Sequence, residues 1–326
     1  MHLDQQSSLP PSIEVEKPYT LAEIRASVSR RQLVNQIFVI AGLVAIGIGL
    51  VSLLALVASL AISGVPRISW EFLTSFPDAD FSKAGILAAW VGSCLVIFVT
   101  VLAAVPLGVG AGIYLEEYAK KNWLSDIIEI NVTNLAGVPS IVYGLLALGL
   151  FKYYLKLGST VITAGLTLSL LVIPIVIVTT REALRAIPSS LREAAYAVGA
   201  TKWRMIQDHM LPYSIGSVLT GVIIGLSRAI GETAPLITIG ALTFIAFLPP
   251  VPFTPDVTTG KTAGLFDWLL SPFTVMPIQM YDWVSRPDEG FHINAAATGV
   301  ILLVMTLGMN GIAIYLRYRL RRGLKW

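Results

Sequence analysis

The chain has 326 residues, of which 55% are hydrophobic and only 13% charged. A soluble globular chain carries about 25% charged residues, so most of this one cannot face water. A formal net charge of +3 is too small to indicate a nucleic-acid partner. The lone Cys94 cannot close an internal disulfide, and His2, His209 and His292 lack ligand spacing, so no bound metal is expected.

Residues 1–35 read as a polar, cytoplasmic N-terminal tail, irregular at Pro10, Pro11 and Ser12. Thr20 to Arg31 is expected to form a short interfacial helix carrying Arg25, Arg30 and Arg31. It is not a cleavable signal, because the first apolar run begins only near Gln36. Residues 36–326 form the expected membrane domain.

A spanning helix needs about 20 mainly apolar residues. Such runs fall near 36–62, 86–115, 128–151, 160–180, 214–247 and 293–316, giving an all-α, polytopic membrane protein of about six transmembrane helices. The fifth run is interrupted by Arg228, Gly231 and Glu232, and reads either as one long helix or as a helix, a break and a half-helix. Gly108-x-x-x-Gly112 and Gly221-x-x-x-Gly225 permit close helix contact in lipid. Pro106, Pro139 and Pro174 are placed within spans, where neighbours can re-satisfy the freed carbonyls.

Basic residues choose the orientation. With a cytoplasmic N-terminus, 16 of the 23 Lys and Arg fall in inside segments and six in outside loops, with Arg228 alone inside a span. This bias places both termini in the cytoplasm.

The cytoplasmic loop at about 181–213 is unlike a plain connector. Pro188 should stop the preceding helix, and Ser190 with Glu193 has capping-box spacing, which predicts a helix from Leu191. Gly199 is placed to end it in a left-handed cap, and Thr201 to cap a second helix running to Pro212. A rigid helix–turn–helix of this kind suits docking into a partner's groove, although an amphipathic connector accounts equally well for the same pattern.

Arg228 and Glu232 are opposite charges four residues apart in an apolar run, so they share one helical face and can pair. Charges at such depth cost about 2.5–3.5 kcal/mol on insertion scales and usually mark a pathway. The pair reads as an oxyanion ligand, a gate or a packing pair. Gly231, Thr233 and Pro235 can break the helix there and expose amides to an anion. Ser140 and Tyr143 are further candidates to line the pathway.

Glu193-Ala194-Ala195-x-x-x-Gly199, followed by Leu211-Pro212, resembles the EAA loop of bacterial ABC importer permeases, with His209 where that pattern usually has isoleucine. The resemblance narrows at Ser227-Arg-Ala-Ile-Gly-Glu-Thr-Ala-Pro-Leu236, at Leu135-Ala-Gly-Val-Pro-Ser-Ile-Val-Tyr-Gly144 and at Pro106-Leu-Gly-Val-Gly-Ala-Gly-Ile-Tyr-Leu115, which are similar to phosphate importer permeases. Phe273 to Trp283 and Met309-Asn310 favour the PstA type, and the likeness runs from about residue 36 to the end.

This resemblance implies a type I ABC importer permease fold. It also implies a heterodimer with a PstC-like permease, two PstB-like ATPases docked through Glu193, Ala194, Ala195, Gly199, Leu211 and Pro212, and a phosphate-binding protein delivering phosphate outside. Arg228, Glu232 and Thr233 would line the translocation path through the lipid bilayer of the bacterial plasma membrane. The chain would bind no cofactor itself, Mg-ATP being used by the ATPase partner. Gly260-Lys261-Thr262 is not a phosphate loop, because Pro255 replaces the required glycine. The loop at about 249–290, with Trp268, Tyr281 and Trp283, is expected either to receive the binding protein or to form an ordered cap with interfacial aromatics. An ion-coupled secondary transporter using Arg228 and Glu232 would need no EAA loop, and a membrane-embedded enzyme would need a nucleophile, base or metal cluster.

Overall fold

A computed structural model describes residues 21–120, 122–255 and 262–322. The expected irregular tail at Pro10–Ser12 and the Gly260-Lys261 step lie outside them. Contact density divides the chain at Ala58 and Ser59 into two units.

The first unit holds most of α1 (Leu21–Gly64), a single helix of 44 residues. The expected short interfacial helix is therefore absent as a separate element, its residues from Leu21 onward being the first turns of α1. No break residue separates them from the apolar run, so the helix simply continues. The apolar stretch of this helix leaves its side chains unburied.

The second unit follows with α2 (Trp70–Thr74) and α3 (Leu87–Ile113), the latter extended by a wide π turn over Tyr114–Tyr118. Then come α4 (Trp123–Leu135), α5 (Ser140–Ala147) with a π extension to Tyr154, and α6 (Val161–Arg185). The short α7 (Ser189–Ala197) and α8 (Lys202–Met205) precede α9 (Leu211–Ile230). One turn, α10 (Ala234–Thr238), precedes the long loop, which carries α11 (Met276–Val284), and α12 (Glu289–Arg322) closes the chain. Among the described residues five helices are long and apolar enough to cross a membrane, and six if the bent pair α4–α5 is one span. The chain is a multi-pass membrane protein.

The third run is not a straight span. Its halves meet at 107°, because Gly137 and Pro139 punctuate the segment and Pro139 takes the extended conformation that starts α5. Pro139 thus marks a break, whereas Pro106 and Pro174 do lie inside helices. The fifth run resolves to the second of its two readings: α9 stops at Ile230, and α10 is the half-helix.

Helix α6 is the centre. In its apolar window 67% of residues are buried, against 6% for α12. Glycines set its neighbours' distance: a Cβ on Gly108 or Gly112 of α3 would fall 2.7 Å from Cβ of Val176 or Thr180, and one on Gly225 of α9 would fall 2.9 Å from Val172. The small-residue spacing thus performs the packing role read from sequence.

At the Arg67 end of the bundle, Phe72, Ile86, Met276, Trp283 and Phe291 form a separate apolar cluster. Arg67 pins it, donating to Asn294 Oδ1 at 2.8 Å and to the carbonyls of Phe81, Ser82 and Ala84. Trp283 is fully buried there and Trp268 packs against Phe98, while Tyr281 is exposed. The loop is therefore an ordered cap over this part of its length, and Trp283 is not a surface for a partner.

Candidate translocation site and coupling surface

At the opposite end of the bundle, the loop after α6 folds on a small core of its own. Leu184, Ile187, Ala195, Met205, Ile206 and Met210 are buried together, with Ile113 of α3 packed against them. Pro188 at φ −55° and ψ 142° is already in the conformation that precedes a helix, so α7 starts at Ser189 rather than Leu191. Ser190 thereby falls inside the first turn and the expected capping box does not form, no side chain capping α7.

The far end of α7 behaves as read. Gly199 sits at φ +81°, its amide donates to Tyr196 O at 2.9 Å, and Ala200 N reaches back to Ala195 O at 3.0 Å. Thr201 Oγ1 accepts from Arg204 N at 3.3 Å and starts α8. The second helix does not end at Pro212. A π turn over Ile206–Met210 carries it into α9, with Pro212 in the first turn. The wider turn relieves the clash a proline ring makes with the carbonyl four residues back, so the helix passes through.

Glu193, Ala194 and Gly199 are exposed, whereas Ala195 faces inward and Leu211 and Pro212 are half-buried at the base of α9. Val198 is 83% exposed and lines a depression of about 320 Å³ together with Thr201, Arg204, Asp208 and His209, and Trp203 on α8 is 59% exposed. Both apolar side chains are thus held in water beside a rigid turn.

An ion-pair group sits beside it. Arg181 donates to Glu129 of α4 at 2.7 Å, Arg185 to Glu116 at 3.1 Å, and Arg192 of α7 to Glu117 at 3.0 Å. Sequence reading counted these arginines only as loop charges. Partners 69 and 75 residues apart leave no local spacing to read.

Arg228 Nε donates to Glu232 Oε1 at 3.3 Å, with the Arg228 side chain 42% exposed and that of Glu232 18%. The pair spans the end of α9, with Gly231 at the break between its members and Thr233, half-buried, next in the chain before α10. The half-helix presents less than expected: Pro235 has no N–H, and the amides of Leu236 and Ile237 both donate to Thr233 O.

This break lies against the other one. Gly144 of α5 is pressed on Pro235 and Thr238 of α10, and Tyr143 OH donates to Leu135 O at 2.7 Å. Ser227 Oγ donates to Asn310 Oδ1 of α12 at 2.6 Å. The segments 135–144, 227–236 and 309–310 thus meet although they are far apart in sequence, and α5, after one break, abuts α10, after the other. Irregular backbone at membrane depth is tolerated where it is buried in protein or lines a cavity.

Such an arrangement is that of a multi-pass membrane protein with two broken helices meeting inside its bundle. Residues 104–324 match the family model of the binding-protein-dependent transport system inner membrane component. The chain belongs to that family. It is 34% identical over 260 residues to the probable ABC transporter permease protein YqgI of Bacillus subtilis (strain 168), covering 79% of this chain and 86% of that one. It is 36% identical over 233 residues to the phosphate transport system permease protein PstA of Yersinia pestis, covering 69% and 77%. Its 29% identity to the PstA of Mycobacterium leprae (strain TN) spans 91% and 92%. An inward-facing structure of the MetNI methionine ABC transporter superposes with a TM-score of 0.49 at 16% identity, covering 72% and 92%.

Proposed function

We propose that this chain is the permease subunit of an ATP-driven phosphate importer in the bacterial plasma membrane, with both termini cytoplasmic. It would form half of the translocation path beside a PstC-like permease, and two PstB-like ATPases would dock beneath through Glu193, Ala194, Gly199 and their neighbours. A phosphate-binding protein would deliver phosphate from outside. The chain itself would carry no ATPase site.

The observation that carries this reading is the meeting of three phosphate-permease-like segments, 135–144, 227–236 and 309–310, at the helix break that carries Arg228. Arg228 offers a planar fork of donors suited to a tetrahedral oxyanion, at a place where a charge persists only with a partner or a purpose. In the structure Glu232 occupies its Nε. An arriving anion would compete with Glu232 for the guanidinium, so the pair would close the path when empty and open when occupied. Docked ATPases, closing on ATP, would move α7 and α8 and reopen the helices outward. An ion-coupled carrier is not favoured, because it gives no role to the rigid turn at Gly199.

The test is ATP-dependent phosphate uptake in vesicles holding the whole assembled complex, native against Arg228→Gln. Uptake should fall by at least about tenfold with assembly intact, the loss expected from removing a charged contact made in the path. Unchanged uptake would reduce the pair to packing. Transport of another oxyanion but not phosphate by the native complex would keep the permease and discard the substrate.

A further inference from the structure

On the permease reading the loop carrying α7 and α8 would move at one end of the bundle, while the charged pair lies on α9 and the break after it. Something must connect them. Helix α7 has little apolar hold on the bundle, Ala195 being its only buried residue. Its side-chain tie to α3 is ionic. Arg192 places Nε and Nη2 on Glu117 Oε1 at 3.2 and 3.0 Å. The same guanidinium donates to Ile187 O at 3.0 Å and Leu184 O at 2.9 Å, the carbonyls that end α6. The Glu117 side chain is only 7% exposed and that of Arg192 23%. One side chain therefore holds α7, the end of α6 and the end of α3 together.

We infer that the Arg192–Glu117 pair is the mechanical link that carries displacement of the docking face into the translocation path, and that the adjoining Glu116–Arg181–Glu129 chain relays it to α4. The inference rests on the permease reading above. From Glu117 the path passes to its neighbour Glu116, which accepts from Arg185 Nε and Nη2 at 3.2 and 3.1 Å. Arg181, with a side chain 9% exposed, joins Glu116 Oε2 at 3.6 Å to Glu129 Oε2 at 2.7 Å. Helix α4 then runs from Glu129 to Leu135, about 9 Å at 1.5 Å per residue. Leu135 O is held by Tyr143, whose neighbour Gly144 is pressed on Pro235 of the half-helix that follows Arg228 and Glu232.

Two features fit a relay better than a fixed brace. Each of these pairs bridges separate elements, so none of them serves a single helix. The chain is also incompletely satisfied: Arg181 Nε is buried and makes no hydrogen bond. A buried donor left short of its acceptor gives the group a second, tighter arrangement to adopt when α7 shifts, and two discrete arrangements are what a coupling network requires. Arg192 and Glu117 are positioning residues, acting through α3 and α4 on groups they do not touch.

The experiment uses the complete complex in vesicles and reads phosphate taken up per ATP hydrolysed. Arg192→Gln and Glu117→Gln should each lower that ratio by about tenfold while ATP hydrolysis stays within about twofold, a loss of coupling rather than of docking. Arg192→Lys should restore part of the ratio, and Arg192→Glu combined with Glu117→Arg should recover more of it than either reversal alone. Equal, proportional loss of hydrolysis and uptake, or no change in the ratio, would overturn the link. A second readout does not depend on the substrate: nucleotide should alter hydrogen exchange of the α4 amides, residues 123–135, in native complex but not in Arg192→Gln. If the native complex moves no phosphate, the substrate reading fails, and the exchange result alone decides the link. Exchange that responds to nucleotide equally in both proteins overturns it.

Discussion

Replacing Gly144 with alanine adds one methyl group at the contact between the two broken helices. Its Cβ would fall 2.7 Å from Pro235 Cα and 3.0 Å from Pro235 O, and closer still to Thr238 Oγ1. Thr238 can rotate aside, losing its 2.8 Å bond to Pro235 O at about 1 kcal/mol. Pro235 Cα is backbone in a restricted ring and can yield only by moving α10. Overpacking of this kind costs about 1–3 kcal/mol, and the helix preference of alanine returns at most about 1 kcal/mol. The backbone obstacle puts the cost at the upper end, and with the lost Thr238 bond the net loss is about 3 kcal/mol. Gly110→Ala in α3 is the matched control, since no atom lies within 4 Å of its new Cβ, and it should be neutral or mildly stabilising. Thermal melting of the purified complex, with uptake measured on the same preparations, should show Gly144→Ala melting several degrees below Gly110→Ala and transporting poorly. Equal melting and full uptake would mean that α5 and α10 are not pressed together in the membrane, and the converging site would have to be abandoned.

Gly199→Ala meets no steric obstacle but must hold φ +81°, which costs a non-glycine residue about 1–2 kcal/mol. The variant should lose ATPase co-purification, and Gly199→Asn should lose less, because asparagine tolerates that conformation better. Trp283→Ala removes a fully buried ring from the cap cluster and should destabilise by about 3–5 kcal/mol, read as early melting or failed assembly.

The sequence carried the parts of this molecule that depend on local pattern and left out those that depend on distant partners. Apolar runs located the spans but not all their ends, the fifth reaching to 247 where α9 stops at Ile230, and Gly199 and Thr201 marked their turn, because left-handed backbone and N-capping are decided by the residues themselves. Proline was the ambiguous sign. Pro139 sits at a 107° break, Pro174 lies inside a straight α6, and Pro212 passes into α9 through a π turn. The ring is the same in all three, and the difference lies in what receives the freed carbonyls: a second helix held by Tyr143, close neighbours on both faces, or a widened turn. Such partners cannot be read from spacing. The same limit hid the arginine–glutamate group, whose members are unremarkable loop charges until α3, α4, α6 and α7 bring them together. What was legible at the charged pair was its chemistry and its i, i+4 geometry. What was not legible is that a second broken helix abuts the half-helix that follows the pair, and that juxtaposition gives Arg228 a place to act. A transport path needs both: a charge that must be neutralised, and a backbone irregular enough on both sides to let the neutralising group change.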